Sequence, residues 1–263
     1  MGQIDTIQID GTSYDVADKR LTNCPETWSA DGLLVATNSN NPQIKRIYID
    51  NFIPTLFDKM DDDVLIAYAT DAYGTIGFAN ISKWGSVSAN ATPLGVALTN
   101  SYTRFIIAPE TATLVWSTAP VLADGKVVAD STANLENSFS AYADFNGGHN
   151  TRMAAAKSEC SSVSTAIGYC WNYERVNANG FGIKKQQWHL PSYGELFYLY
   201  TNRQKINYAL NVINGSAIPG QNHWSSTQVN ASQAWFLGMG DGLPGTWGSK
   251  DGSARLVRPI FRF

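Results

Sequence analysis

The spacing of apolar and polar positions changes twice along this chain. Residues 4–9 alternate apolar with polar and precede an Asp-Gly pair, which predicts a strand and the start of a hairpin. Short strand-like runs fill residues 64–116, helical spacing fills residues 153–213, and strand-like runs return after residue 222. Strands, then helices, then strands again predict an α+β fold.

Seven strands are predicted from β-branched and aromatic runs bounded by turn residues. Five of them precede the helical region and form antiparallel pairs, and two lie near the C-terminus. They are Val64–Tyr68, Thr75–Asn80, Pro93–Leu98, Arg104–Ala108, Thr113–Trp116, Ala234–Leu237 and Arg255–Ile260.

Two helices are predicted from apolar residues at steps of three and four. The first extends from Met153 to Cys170. The second begins at Ser192, where Ser-Tyr-Gly-Glu fits a capping box, and ends at Asn214-Gly215. Arg203 interrupts the apolar stripe of the second helix, so its aliphatic stem is expected to pack there.

A glycine-rich stretch separates the last two predicted strands. Six glycines and Pro244 lie between Gly238 and Gly252, a composition that favours tight turns over regular structure. Few charges occur from residue 214 to 253, whereas aromatic rings stand beside Ser, Thr, Asn and Gln. Because binding surfaces use this mixture, we expect a display loop held between two strands.

The charge distribution indicates a boundary near residue 62. Residues 1–62 contain ten acidic and five basic residues, whereas the whole chain has a formal net charge of −3. We therefore predict an attachment segment over residues 1–62 and a ligand-binding domain over residues 63–263.

Several functional classes are disfavoured by composition. No Lys/Arg stripe provides an electrostatic footprint for nucleic acid. The N-terminal residues lack the basic and apolar regions of a signal peptide, and no apolar run of membrane-spanning length occurs. The sequence thus predicts neither Sec export, nor membrane insertion, nor nucleic-acid binding.

Catalytic and metal chemistry receive little support. Cys24, Cys160 and Cys170 form no C-x-x-C pair, and His149 and His189 belong to no H-x-x-H spacing. No Gly-x-Ser-x-Gly elbow and no carboxylate pair near the glycine-rich stretch are present. We expect a protein that is not an enzyme and needs no metal or cofactor, with the two later cysteines as buried thiols.

Four motifs in order resemble a known family. Trp188-His-Leu-Pro-Ser192 with Gly194-Glu-Leu196 forms the first motif, and the other three are Trp224-Ser-Ser-Thr227, Ala234-Trp235 and Val257-Arg-Pro-Ile260. Residues 63–263 resemble the C-type-lectin-fold variable proteins of diversity-generating retroelements, which include phage receptor-binding proteins. None of the triplets that bind calcium in C-type lectins is present.

The resemblance implies a scaffold that displays a diversified C-terminal recognition face and binds a cell-surface protein or glycan receptor. It also implies a phage tail or bacterial cell-surface location and, by analogy, a trimer. The positions that it assigns to ligand binding are Asn222, His223, Gln228, Asn230, Ser232, Phe236, Met239, Asp241, Thr246, Trp247, Ser249 and Ser253.

The same resemblance assigns other residues to the invariant framework, namely Trp224, Trp235, Arg255, Arg258 and Pro259. Trp247 is the expected affinity anchor, with a loop lid as its alternative role. His223 is expected beside the face, where it would either donate a hydrogen bond to a ligand or add mild pH sensitivity. Two alternatives to the binding protein stay open: a structural phage or cell-surface subunit that uses the fold for oligomerisation, and a carbohydrate-processing enzyme.

Overall fold

Helices and sheets are mixed along the chain, as an α+β fold requires. The computed structural model describes residues 6–9, 12–17, 20–21, 33–34, 47–48, 63–70, 76–99, 103–129 and 135–263. The chain divides into two compact units, of which one contains Met1–Asp63 with Thr99–Tyr102 and the other Val64–Leu98 with Thr103–Phe263. Cys24 lies outside the described residues.

The first unit contains short antiparallel pairs. Strand β1 (Thr6–Ile9) pairs with β2 (Thr12–Ala17), which pairs in turn with β3 (Arg20–Leu21). Strand β4 (Leu33–Leu34) pairs with β5 (Ile47–Tyr48). The hairpin that the Asp-Gly pair predicted is therefore confirmed, because Ile9 and Thr12 face each other across it.

Twelve further strands and seven helices are described in the rest of the chain, with short 3₁₀ turns at Ile81–Lys83 and Ser88–Asn90. The strands are β6 (Asp63–Thr70), β7 (Ile76–Asn80), β8 (Ala91–Thr99), β9 (Arg104–Ile107), β10 (Ala112–Leu114), β11 (Arg175–Val176), β12 (Gly182–Ile183), β13 (Asn222–Gln228), β14 (Gln233–Gly238), β15 (Pro244–Ser249), β16 (Arg255–Val257) and β17 (Ile260–Arg262). The helices are α1 (Trp84–Val87), α2 (Leu135–Tyr142), α3 (Gly147–Ala155), α4 (Ser158–Ser161), α5 (Ala166–Asn172), α6 (Tyr193–Thr201) and α7 (Arg203–Val212).

Two five-stranded sheets organise these elements. The first has the order β17-β9-β8-β6-β7, and the second has the order β10-β16-β13-β14-β15. In the second sheet the pairs β10–β16, β13–β14 and β14–β15 are antiparallel, whereas β13 and β16 run parallel. The five strands predicted before the helices are confirmed, with ends shifted by no more than two residues.

A hydrophobic core lies on each side of the second sheet. Because successive strand residues point to opposite faces, Trp235 and Leu237 of β14 enter the core that contains the buried residues of α6 and α7. Ala234 and Phe236 of the same strand join the other core, which contains Trp224 and the buried residues of α5. The second sheet is thus held from both sides.

The predicted first helix is wrong as a single element. Residues 153–170 form the end of α3 and the short helices α4 and α5. Extended backbone at Lys157 and Ser162 breaks the helix, and Thr165 starts α5 by accepting a hydrogen bond from the Gly168 N–H. Val163, which belonged to the predicted apolar stripe, is exposed, although Cys160 and Cys170 are buried free thiols as expected.

The predicted second helix is confirmed at both ends and divided in the middle. Ser192 and Glu195 form the capping box of α6, and Asn214 takes a left-handed conformation just after α7. The division falls at Asn202, immediately before Arg203. The break in the apolar stripe at Arg203 therefore coincides with a change of helix, which the sequence analysis did not predict.

The glycine-rich stretch is only partly a loop, because β15 forms inside it. A Cβ atom on Gly245 would lie 2.0 Å from Cζ of Phe236, and one on Gly248 would lie 2.4 Å from the Trp224 ring. These glycines leave room for the two rings to lie directly against the strand. The expectation of a loop held between two strands is wrong for Pro244–Ser249, because glycine has a packing role there in addition to its backbone freedom.

We predict that Gly248→Ala lowers the free energy of unfolding by about 1–3 kcal/mol, because the added methyl group overlaps the Trp224 ring. Urea unfolding of both proteins measures the change. Gly85→Ala is the matched control, since a Cβ atom there meets nothing within 4 Å. Equal effects of the two substitutions would contradict the proposed packing role of Gly248.

Candidate ligand-binding face

The twelve predicted binding positions occupy three levels of exposure. Five are exposed: Asn222, Asn230, Ser232, Asp241 and Trp247. Three are half-buried: Phe236, Ser249 and Ser253. Four are buried: His223, Gln228, Met239 and Thr246. The exposed and half-buried positions are available to a ligand at the surface, whereas the buried ones are not.

The four buried positions correct the sequence-based assignment. Met239 belongs to the hydrophobic core, and Thr246 lies on the buried side of β15. The Gln228 amide exchanges hydrogen bonds with the backbone of Ala123. These side chains lie inside the scaffold and contribute to its packing.

Gln228 also helps to hold a buried cation. Nζ of Lys250 donates to Oε1 of Gln228 at 2.8 Å and to the Val121 carbonyl at 2.7 Å, and it lies 4.2 Å from the centroid of the Trp116 ring. Burial lowers the pKa of Lys250 to about 8. Lys250 therefore anchors the segment after β15 from inside the protein.

The exposed polar positions lie at opposite ends of the β13–β15 strands. Asn222 faces Gly238 across β13 and β14, and Asp241 accepts a hydrogen bond from the Leu243 N–H in the following turn. Asn230 lies in the hairpin at the other end, where its side chain accepts from the Ser232 and Gln233 N–H groups. Strands of six or seven residues are about 20 Å long, so the two groups are separated.

Between those ends, the side chains of Phe236 and Arg255 lie against each other, and Trp247 lies on the neighbouring strand β15. We name these three side chains the C-terminal face. The Phe236 ring contacts Gly245 and Gly248 on the neighbouring strand, and Trp247 lies between those glycines. Trp247 is 68% exposed, which excludes its alternative role as a lid folded back on the protein. It lies on β15, the edge strand of the second sheet.

Arg255 is the member of this face that lies outside the twelve predicted positions. The resemblance placed it in the framework, yet its guanidinium lies over the Phe236 ring, with Cζ 3.6 Å from the ring centroid. The neighbouring Trp224 ring is 4.9 Å away and is itself buried. Only the three-dimensional pairing of β16 with β13 brings Arg255 beside these rings.

A separate cleft of about 280 Å³ is lined by none of the twelve positions. Its walls come from α3, α5 and the segment before α6: Gly148, His149, Arg152, Trp171, Gln186, Gln187, Trp188 and His189. Behind it, Nε2 of His189 lies 3.3 Å from Oε2 of the buried Glu195. Burial opposes ionisation of Glu195, but His189 and hydrogen bonds from Ser192 outweigh it and lower its pKa.

The described residues contain neither a metal-binding cluster nor a membrane-spanning helix. No group of three or more His, Cys, Asp or Glu side chains within them is placed to hold a metal ion. None of their helices has the length and apolar composition needed to cross a membrane.

We predict that His223 makes the folded protein less stable in mild acid. Burial is the main cause that lowers its pKa to about 4, although a hydrogen bond with the Gln221 carbonyl opposes the shift. Between pH 6.5 and 4 the unfolded chain binds a proton that the folded chain does not, so stability falls as the pH decreases. The expected loss is on the order of 3 kcal/mol.

Urea unfolding at several pH values compares the wild type with His223→Asn, which retains a donor for the Gln221 carbonyl. The loss between pH 6.5 and 4 should be smaller in this variant. His149→Asn is the control, because His149 is exposed. If both variants retain the full acid dependence, the stated role of His223 is wrong.

Comparisons with known proteins identify no family for this chain. No protein-family model matches the chain, and no curated protein matches it. Part of the chain is similar to a solved fimbrial protein from Bacteroides ovatus ATCC 8483, with 19% identity and a TM-score of 0.39. The similarity covers 60% of this chain and 35% of that protein, so the chain spans about a third of the fimbrial protein's length.

Proposed function

We propose that this chain is a ligand- or receptor-binding protein that contacts its partner through the C-terminal face. The scaffold proposed is the C-type-lectin-like fold of the variable proteins that retroelements diversify, and the proposed setting is a phage tail or a bacterial surface. The four sequence motifs support this family. The C-terminal face supports the mode of binding.

The exposure of Trp247 is the observation that carries the proposal. A tryptophan with 68% of its surface in water, fixed on an edge strand, loses that unfavourable exposure when a partner covers it. Interfaces obtain much of their binding energy from a few such aromatic anchors. The small polar side chains around it, among them Ser249 and Ser253, provide adaptable hydrogen-bonding groups.

The sheet gives this anchor a rigid support. Phe236 fixes the glycines on either side of Trp247, and its ring packs at 89° against the buried Trp224 ring. Because the backbone beneath Trp247 is already ordered, a partner does not have to order it on binding. No catalytic arrangement enters this proposal, which is that the protein acts by binding alone.

We expect Trp247→Ala to weaken binding to the target by roughly 30-fold or more, which corresponds to about 2 kcal/mol. The assay measures adhesion of labelled protein to candidate bacterial cells and to a glycan array. Leu122→Ala is the control, because Leu122 is a large exposed side chain, 51% exposed, outside the face. Equal binding by both variants would contradict the proposal.

The same variants test the structural-subunit alternative. Light scattering after size exclusion gives the mass of each protein in solution. If Trp247→Ala dissociates an oligomer that Leu122→Ala preserves, Trp247 serves an interface between copies, and the binding proposal is wrong for this residue.

If the recognition face is diversified, sequence changes should be concentrated at its exposed positions. Gene copies from related phages or cells should differ at exposed members of the predicted set such as Asn222, Asn230 and Asp241. The buried Trp224 and Arg258 should be invariant, because their contacts hold the scaffold. Deep sequencing of many copies measures the substitution frequency at each position. An even distribution of changes would exclude diversification and leave a binder of fixed specificity.

A further inference from the structure

Two arginines three positions apart in the C-terminal segment have opposite environments. Arg258 is buried, and its guanidinium donates to the carbonyl groups of Ala108, Ser216 and Ala217 at 2.8–3.0 Å. These bonds join separate segments of the chain. Arg258 therefore has the structural role that the family resemblance gave to both arginines.

Arg255 has no such partners. Its guanidinium makes no hydrogen bond with the residues that the structure describes, and none of their three ion pairs includes it. Its Nε atom is buried and has no hydrogen-bond partner in the described part of the chain. Neither Nη atom is both buried and without a partner. The two Nη groups consequently reach solvent and retain free N–H donors.

Aromatic stacking fixes the position of those donors. The Phe236 ring lies under the guanidinium plane, and the Trp224 ring borders it. A guanidinium held in this way presents a planar fork that matches both oxygens of a carboxylate. Because the rings have already ordered the side chain, less entropy is lost on binding than for a mobile arginine.

The surroundings favour a polar, ring-shaped ligand. Acidic side chains near the C-terminal face are already engaged, since Asp251 accepts from the Ser249 hydroxyl and Asp241 from the Leu243 N–H. Ser253 offers a hydroxyl group, and the half-buried Phe236 offers an apolar ring edge. Sugar rings combine hydroxyl groups with an apolar C–H face, so they complement both.

We propose that Arg255, supported by Phe236, forms a subsite for the carboxylate of an acidic sugar residue. This inference rests on the proposed function of the C-terminal face and names the class of ligand that the face takes. The two Nη groups donate to the carboxylate oxygens end-on. The sugar ring lies against the exposed edge of Phe236.

The test is a titration of the ¹⁵N-labelled protein with sodium glucuronate, followed by NMR at the Arg255 Nε–H and Trp224 indole signals. Glucose supplies the ring without the charge, acetate supplies the charge without the ring, and N-acetyl-aspartate represents an acidic protein side chain. Glucuronate should bind in the millimolar range, roughly tenfold or more tightly than each of the three. Comparable binding of any one of them would overturn the acidic-sugar assignment, as would no binding of glucuronate.

Variants locate the site. Arg255→Gln should abolish the glucuronate response, and Arg255→Lys should weaken it because lysine retains the charge without the fork. Arg152→Gln is the matched control, since Arg152 is an exposed arginine in the separate cleft. If Arg152→Gln removes the response and Arg255→Lys does not, the sugar binds the cleft and the inference is wrong.

Near-UV circular dichroism shows whether each variant is folded. If Arg255→Gln does not fold, the Arg255→Lys variant provides the test. The outcome is separable from the broader proposal. Adhesion that depends on Trp247, together with no response to glucuronate, would leave the C-terminal face as a binding surface and remove Arg255 as its carboxylate subsite.

Discussion

The buried Asp144 is the polar constraint on which the second sheet depends. One carboxylate oxygen accepts hydrogen bonds from the Asn150 amide at 2.9 Å and the Thr227 hydroxyl at 2.7 Å. Its backbone carbonyl accepts from the Ser192 hydroxyl and the Gly194 N–H. Helix α3, the start of α6 and strand β13 therefore meet at one residue. A buried carboxylate is expensive to leave unpaired, so these three elements have one compatible arrangement.

Because β13 is fixed, it determines where the neighbouring strands of the second sheet lie. Trp224 on this strand, and Phe236 on the next, lie over Gly245 and Gly248 of the edge strand, and a side chain at either glycine would exclude the rings. Large rings on β13 and β14 thus lie against glycines on β15, and together they fill one layer of the core. The edge strand is shaped by packing as much as by its hydrogen bonds, which explains how a glycine-rich segment presents Trp247 in a defined position.

Sequence reasoning succeeded where a signal is local and failed where it depends on contacts between distant segments. The capping box at Ser192 and the left-handed Asn214 follow from chemistry within a few residues, so both were predicted. The apolar spacing from Met153 to Cys170 fits a helix as well, but extended backbone at Ser162 divides it. Likewise, burial of Gln228 depends on Ala123, which lies 105 positions earlier in the chain. No pattern near Gln228 contains that information.

The same distinction separates two arginines that the motif treats alike. Arg255 and Arg258 share a short segment, and only the partners contributed by other strands separate their roles. Arg258 is buried and donates to three carbonyl groups, so it stabilises the fold and is not accessible to a ligand. Arg255 has its flat surface covered by an aromatic ring and its Nη donors open to solvent. A cation that is ordered by stacking but still lacks acceptors is poised for recognition, because binding adds hydrogen bonds without a large loss of side-chain entropy.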